Sequence, residues 1–282
     1  MVNNRIDQAY RYWVNQVIAA QLPDAEVTVL FIIEEHLNEK YLVLLSKDYT
    51  LTSTQITSIQ QCVDRCIAGE PLSYILESAY FNGRPYFVRP GVLIPRPETE
   101  ELVGIAAKRI QHLKGHDIHV FECGFGSGVI SIDLALQFPN ISFKAWDISR
   151  HAFDVACINQ RRHDVANIEF FHSDFFDVEC FDVPPNAHCI IVSNPPYISD
   201  DEYILLDDVV KLEPKVALVA DNNGMAIILD LIGRATEGGH DLICEIGYQQ
   251  RQHLTAATNT SLLFKKDLSG HDRFLTIFQS LE

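Results

Sequence analysis

The sequence predicts an α/β fold: a mostly parallel sheet with helices on both faces, preceded by a small helical bundle. Three observations carry this. Before residue 75 apolar residues recur at helical spacing, and from about residue 96 strand-like runs alternate with segments able to hold helices. The first of those runs ends in a glycine-rich turn that leads into a helix, "FECGFGSGVIS". Such alternation builds βαβ units, whose crossovers set strands parallel and helices on the sheet faces. With 282 residues, 47% of them hydrophobic, the chain can bury one large core and a small one.

In the N-terminal part, Ile6, Tyr10, Trp13, Val14, Val17 and Ile18 form one helical stripe. Ile56, Ile59, Val63, Cys66 and Ile67 form another, with Ser53 or Thr54 as its expected cap and Gly69 as its stop. Residues 1–75 are therefore read as a helical domain. The next stretch, "AYFNGRPYFVRPGVLIPRPETEELV", carries Asn82-Gly83 between aromatic runs. Both central residues of a type I′ turn need positive φ, so residues 76–95 are expected to form a hairpin linker.

Residues 96–282 hold the expected α/β domain. Pro97 suits a first helical turn, with Glu98, Glu100 and Glu101 at its positive end and Leu102, Val103, Ile105, Ala106 and Ile110 facing inward. Strands are expected at "IHVFECG", "ISFKAWD", "IEFFHSD", "CIIVSN", "HDLICEIG" and "RFLTIF". Helices fit between them, as at Ser131 to Gln137 and His151 to Gln160.

Thirty-eight acidic and 22 basic residues give a net charge of −16, a field that repels polyphosphates and disfavours nucleic acid as a partner. The acidic patch "SDDEY", Ser199 to Tyr203, reads as a solvated loop. No uninterrupted apolar run reaches membrane-spanning length, and "MVNNRIDQAYRYW" lacks the form of an export signal. Seven cysteines, at 62, 66, 123, 157, 180, 189 and 244, show neither CxxC nor zinc spacing. A cytoplasmic protein without a metal site is expected, with no membrane partner.

Gly124, Gly126 and Gly128 permit positive φ and close approach of a ligand to backbone. Alone this signal is weak, because such turns also occur without a ligand. A dinucleotide fingerprint would need glycine at Val129, which counts against a nicotinamide oxidoreductase. Glu122, two residues before the first glycine, favours a ligand bearing an amine over a pyrophosphate. Asp147 ends the next strand 19 residues beyond Gly128, close to the spacing at which an acid holds ribose hydroxyls. Together these resemble the S-adenosyl-L-methionine site of class I methyltransferases, in which an acid and an aromatic residue, here Asp174 and Phe175, flank the adenine. A plain strand-end loop accounts for Asp174-Phe175 almost as well.

"VSNPPYIS" stops the strand before it, since proline has no N–H for a sheet ladder. At the C-terminal edge of the sheet, the Asn194 side-chain carbonyl and the Pro195 backbone carbonyl can each accept one hydrogen of a planar –NH2 group. Pro195 and Pro196 keep the backbone rigid, and the Tyr197 ring offers an aromatic face. Two fixed acceptors orient a poorly nucleophilic nitrogen and stabilise positive charge growing on it.

Asn-Pro-Pro-Tyr occurs in amino methyltransferases acting on adenine N6 or glutamine N5. "GEPLSYI", "GVLIPRPETEELV", "EPKVALVADNNGM" and "GHDRF" extend the likeness from about residue 50 to the end, and the chain resembles the bacterial release-factor glutamine methyltransferase (PrmC/HemK) family. That resemblance implies a class I, Rossmann-like catalytic domain behind a helical substrate-recognition domain and a hairpin linker. It implies methyl transfer to N5 of the glutamine in the Gly-Gly-Gln loop of peptide chain release factors, by a monomer. The stretch Gly124, Phe125, Gly126, Ser127, Gly128, with Glu122, Asp147, Ile148, Asp174, Phe175 and Asn194, matches its cofactor contacts. Asn194, Pro195, Pro196 and Tyr197 match its substrate clamp, and Asn194, Pro195 and Tyr197 its catalytic residues.

Departures are few: Cys123 and Phe125 stand where Leu and Thr are usual, Phe175 where Trp is common, and Glu77-Ser78 where a glycine is expected. "DVECFDVPPNAH" lengthens the approach to the fourth strand. A ribosomal-protein glutamine methyltransferase and a DNA adenine N6-methyltransferase remain the rival readings. The latter would need a basic groove and a base-flipping pocket.

Overall fold

The structure, a computed structural model, describes residues 3–177, 184 and 187–279. Cys180 and most of "DVECFDVPPNAH" lie outside the described residues. The chain divides into two compact units, one ending at Ser78 and the other beginning at Ala79.

The first unit holds helices Ile6–Ala19, Ala25–Leu37, Tyr41–Ser46, Ser53–Ile67 and Leu72–Ile75. Their stripes meet in a core around Trp13, Val17, Val29, Ile32, Ile33, Ile59 and Val63, all fully buried. The Trp13 indole N–H is satisfied inside this core by the Gln60 Oε1 at 2.8 Å. Thr52, rather than Ser53 or Thr54, caps the fourth helix. Gln55, at its third position, reaches back to the Thr52 N–H (2.9 Å) while its own N–H donates to the Thr52 Oγ1 (3.2 Å). This reciprocal pair satisfies two helix-end donors and fixes the boundary. Glu77 has φ 51°, the left-handed conformation for which glycine is the expected residue.

The second unit opens with the hairpin β1 (Ala79–Phe81) and β2 (Arg84–Tyr86), turned by Asn82 (φ 47°) and Gly83 (φ 72°). Buried Asp133 ties it down, accepting from Asn82 Nδ2 (2.9 Å) and from the Arg84 guanidinium (2.6 Å). A seven-stranded sheet follows: β3 (Ile118–Cys123), β4 (Ser142–Asp147), β5 (Ile168–His172), β6 (His188–Ser193), β7 (Asp241–Glu245), β8 (Leu263–Lys266) and β9 (Asp272–Ile277). The order is β5-β4-β3-β6-β7-β9-β8, parallel except for β9, which runs antiparallel to both neighbours.

Helices Pro97–His112 and Val129–Gln137 pack with Val120, Ile190, Val192 and Ile243 on one face. Helix Ala226–Gly238 packs with Phe121, Ile191, Leu242 and Cys244 on the other. Alternate strand residues therefore feed two cores, as a sheet covered on both faces requires. The order reverses between β3 and β6, and a crevice opens outside the C-terminal ends of strands at such a switch point.

Candidate active site

At that switch point lies a cleft of about 240 Å³. It brings together Gly124, Gly126, Asp147, Ile148, Asp174, Phe175, Asn194, Pro195 and Pro196 from the sequence reading. Glu122, Phe125, Ser127, Gly128 and Tyr197 do not line it. Gly91, Val92, Leu93, Trp146, Ser149 and Asp230 do, and the sequence reading had not singled them out.

Gly124 (φ 74°) and Gly126 (φ 53°) both require the left-handed region, and a methyl group added at either would meet no protein atom. Both border the cleft, so the backbone there is open rather than packed against side chains. Asp147 organises the same turn: its Oδ2 accepts from the Gly126 N–H (2.9 Å) and its Oδ1 from the Ser149 N–H (2.8 Å). An ionised carboxylate accepts about four hydrogen bonds, so each oxygen retains a further acceptor site. Burial raises the Asp147 carboxyl above its ordinary range, with those two N–H groups working in the opposite direction. Phe175 is almost fully buried and meets Trp146 edge-on, with ring centroids 5.6 Å apart, and both residues form an aromatic wall.

The remaining members of the glycine turn support it from beneath. Gly128 (φ 81°) starts helix Val129–Gln137, and a Cβ there would come within 3.2 Å of Ala156, Ile132 and Phe170. Phe125 packs against Phe170 at 4.8 Å, and the Ser127 carbonyl accepts from Asn159 Nδ2 at 2.9 Å. Glu122 is 1% exposed and accepts from the Ser131 N–H (3.1 Å) and hydroxyl, while its Oε1 has no hydrogen-bond partner among the described residues. Burial pushes its carboxyl up to about 8.

Asn194, just past β6, belongs to a chain of hydrogen bonds that the sequence reading missed. Its Nδ2 donates to Thr99 Oγ1 (2.9 Å), the Thr99 hydroxyl donates to Glu245 Oε2 (2.9 Å), and the Tyr197 hydroxyl donates to Glu245 Oε1 (3.2 Å). Thr99 comes from the first turn of helix Pro97–His112, and Glu245 ends β7. Burial pushes the Glu245 carboxyl up to about 7, against the pull of Thr99, Arg273 and Tyr197. Asn194 and Pro195 also border a second, smaller cavity with Leu93, Arg96, Tyr197, Ile198, Ala217 and Leu218. Its rim is fastened by buried Glu213, which accepts from the Ile94 N–H (2.9 Å) and from Arg96 (2.5 Å).

Comparison with known proteins follows this geometry. Residues 8–76 match the PrmC N-terminal domain and residues 106–214 the methyltransferase small domain. A release factor glutamine methyltransferase of Lactococcus lactis is 36% identical over 239 residues, covering 80% of this chain and 84% of that protein. One of Enterococcus faecalis is 32% identical over 270 residues, covering 93% and 95%. The chain belongs to the release factor glutamine methyltransferase family. Like other proteins of this family, it is a methyltransferase that uses S-adenosylmethionine. The open glycine turn, the two-handed Asp147 carboxylate and the aromatic wall suit an adenosine-bearing ligand. The family's sheet architecture is shared with the N-terminal domain of human METTL16 at a TM-score of 0.51 and 11% identity, over 83% of this chain and 85% of that one.

Proposed function

We propose that this chain transfers a methyl group to N5 of the glutamine in the Gly-Gly-Gln loop of a peptide chain release factor. The observation that carries the reading is the position of Asn194 and Pro195. With Leu93 and Ala217 they line both the larger cleft and the smaller cavity beside it, so that an amide nitrogen entering from one side would meet a methyl donor on the other.

S-adenosylmethionine supplies the methyl group as an electrophilic sulfonium. Asp147 would hold the ribose hydroxyls, Gly124 and Gly126 would admit the ligand against the backbone, and Phe175 with Trp146 would cover the adenine. The Asn194 Oδ1 and the Pro195 carbonyl accept the two N–H bonds of the glutamine amide and aim its nitrogen at the larger cleft. As the new N–C bond forms and the methyl–sulfur bond breaks, with its electron pair left on the departing thioether, positive charge would pass to nitrogen and both acceptors would bind it more strongly, which lowers the barrier selectively in the transition state. The alkylated nitrogen is then acidic enough to lose its proton to water, and no strong base is required. Tyr197, held through its hydroxyl, lines the smaller cavity.

The N-terminal helical unit, residues 1–75 in the sequence reading, is assigned to recognition of the protein substrate. Val27 and Phe31, one turn apart on helix Ala25–Leu37, are both exposed, as are Leu42 and Leu45. Deleting this unit is expected to slow methylation of the intact factor while the α/β unit still binds cofactor.

Mass spectrometry of purified release factors incubated with enzyme and isotopically labelled cofactor tests the reading. One labelled methyl on the Gly-Gly-Gln glutamine is expected. No transfer, or transfer to ribosomal protein or DNA adenine instead, overturns it.

A further inference from the structure

The clamp works only if the Asn194 amide faces one way. Its oxygen and nitrogen are nearly isosteric, and with –NH2 toward the substrate it would repel the amide hydrogens it is meant to accept. The side chain therefore needs something that tells one orientation from the other. Thr99 and Glu245 have the required asymmetry. In its ionised form the Glu245 carboxylate only accepts, and the Thr99 hydroxyl hydrogen is then committed to its Oε2 at 2.9 Å. What Thr99 Oγ1 then offers Asn194 is a lone pair, and only the Nδ2 end of the amide can use it, as it does at 2.9 Å. Oδ1 is left without a role in that contact, on a residue that lines the cleft.

We infer that Thr99 and Glu245 are positioning residues that lock the Asn194 amide with its carbonyl oxygen toward the substrate. Thr99 is 3% and Glu245 1% exposed, so water does not compete freely for the bond between them, while Asn194 is half-buried at the edge of the cleft. Glu245 is also held at its other oxygen by the Tyr197 hydroxyl at 3.2 Å, so one carboxylate sets both ends of the Asn-Pro-Pro-Tyr segment. The carboxylate neither touches the cofactor cleft nor lines the smaller cavity, and its effect passes through Thr99 and Tyr197. Relative to the sequence motifs, this assigns the threonine of "RPETE" to the same task as the asparagine of "SNPPY".

The inference rests on the proposed amide transfer, but its first test does not require a substrate. In amide NMR of the full chain, the Asn194 side-chain –NH2 is expected to exchange slowly with solvent in the wild type and in Thr99→Ser, and quickly in Thr99→Val. Equal protection in all three overturns the lock whatever the reaction is. The second test uses single-turnover methylation of a release factor. Thr99→Val, which keeps shape and removes the hydroxyl, is expected to slow transfer about fivefold to tenfold, the loss of one hydrogen bond's orienting effect. S-adenosylhomocysteine affinity should stay unchanged and Thr99→Ser should restore the rate. In an Asn194→Ala background, Thr99→Val should cost nothing further, because the group it orients is gone. An equal loss in both backgrounds, or a wild-type rate in folded Thr99→Val, contradicts the inference. If the wild type itself transfers no methyl to the factor, the proposed function fails while the exchange measurement still decides the lock.

Discussion

Gly224 lies directly against the Tyr197 carbonyl: a Cβ built on Gly224 would stand 2.1 Å from that oxygen. Its φ of 77° adds a second reason for glycine. The Tyr197 carbonyl also accepts from Gln250 Nε2 at 2.9 Å, so the segment behind the clamp is held from two directions. Gly224→Ala must push Tyr197 away or refold its own turn. It is expected to lower stability by about 2 kcal/mol or more, combining a left-handed alanine with overpacking, and to slow methyl transfer beyond what cofactor affinity explains. Denaturant titration and single-turnover rates check this; wild-type values for both would show that the contact is dispensable.

Asp147 should carry affinity. Removing an acceptor that holds two loop N–H groups and, in the proposed reading, the ribose hydroxyls costs about 1.5–3 kcal/mol, so Asp147→Ala is expected to weaken S-adenosylhomocysteine binding about tenfold to a hundredfold. Calorimetry on the folded variant reads this directly, and an unchanged affinity removes Asp147 from the site.

Glu245 should give the reaction an acid limb. Its carboxyl is raised from the ordinary 4.5 to about 7, chiefly by burial, with Glu98 adding to the rise and Arg273, Thr99 and Tyr197 opposing it. Below that pH a proton occupies one of the oxygens that Thr99 and Tyr197 use. Transfer rates are therefore expected to fall as pH drops through about 7 and to lose that dependence in Glu245→Gln. Stability should move the other way. For a carboxyl raised on folding, the favourable contribution is complete below the unfolded value near 4.5 and disappears as pH rises through about 7. An acid limb that persists unchanged in Glu245→Gln assigns it to another group.

Glu77 occupies a glycine conformation, with φ 51°, at the end of helix Leu72–Ile75. Glu77→Gly relieves the left-handed cost of a side chain and is expected to stabilise the protein by about 1 kcal/mol. Denaturant titration checks it; a destabilised variant would mean that the Glu77 side chain contributes more than its backbone costs.

Most of the sheet was readable because its strands are apolar runs between turns, and the hairpin because Asn82 and Gly83 both need positive φ. β8 was not, since "LFKK" is largely exposed and shares no alternation with a core. The glycine-rich turn was legible in Gly124, Gly126 and Gly128, because their positive φ is a local backbone property. Glu122 was read as facing a ligand from its distance to the glycines, but strand parity puts it with Val120, facing the helix that follows, while Cys123 reaches the cleft. Thr99 and Glu245 are 146 residues apart and meet only because a helix and a sheet edge pack together, a juxtaposition that no spacing rule reports.

Asn194 remains the residue on which the account turns, because its side-chain oxygen is given a task that a methyl group cannot perform. Single-turnover methylation of a release factor by folded Asn194→Ala, run beside calorimetry with S-adenosylhomocysteine, is the most direct measurement. Transfer is expected to fall about 10²- to 10³-fold, as for a lost transition-state acceptor, with cofactor affinity nearly unchanged. A wild-type rate in that variant would contradict the amide clamp.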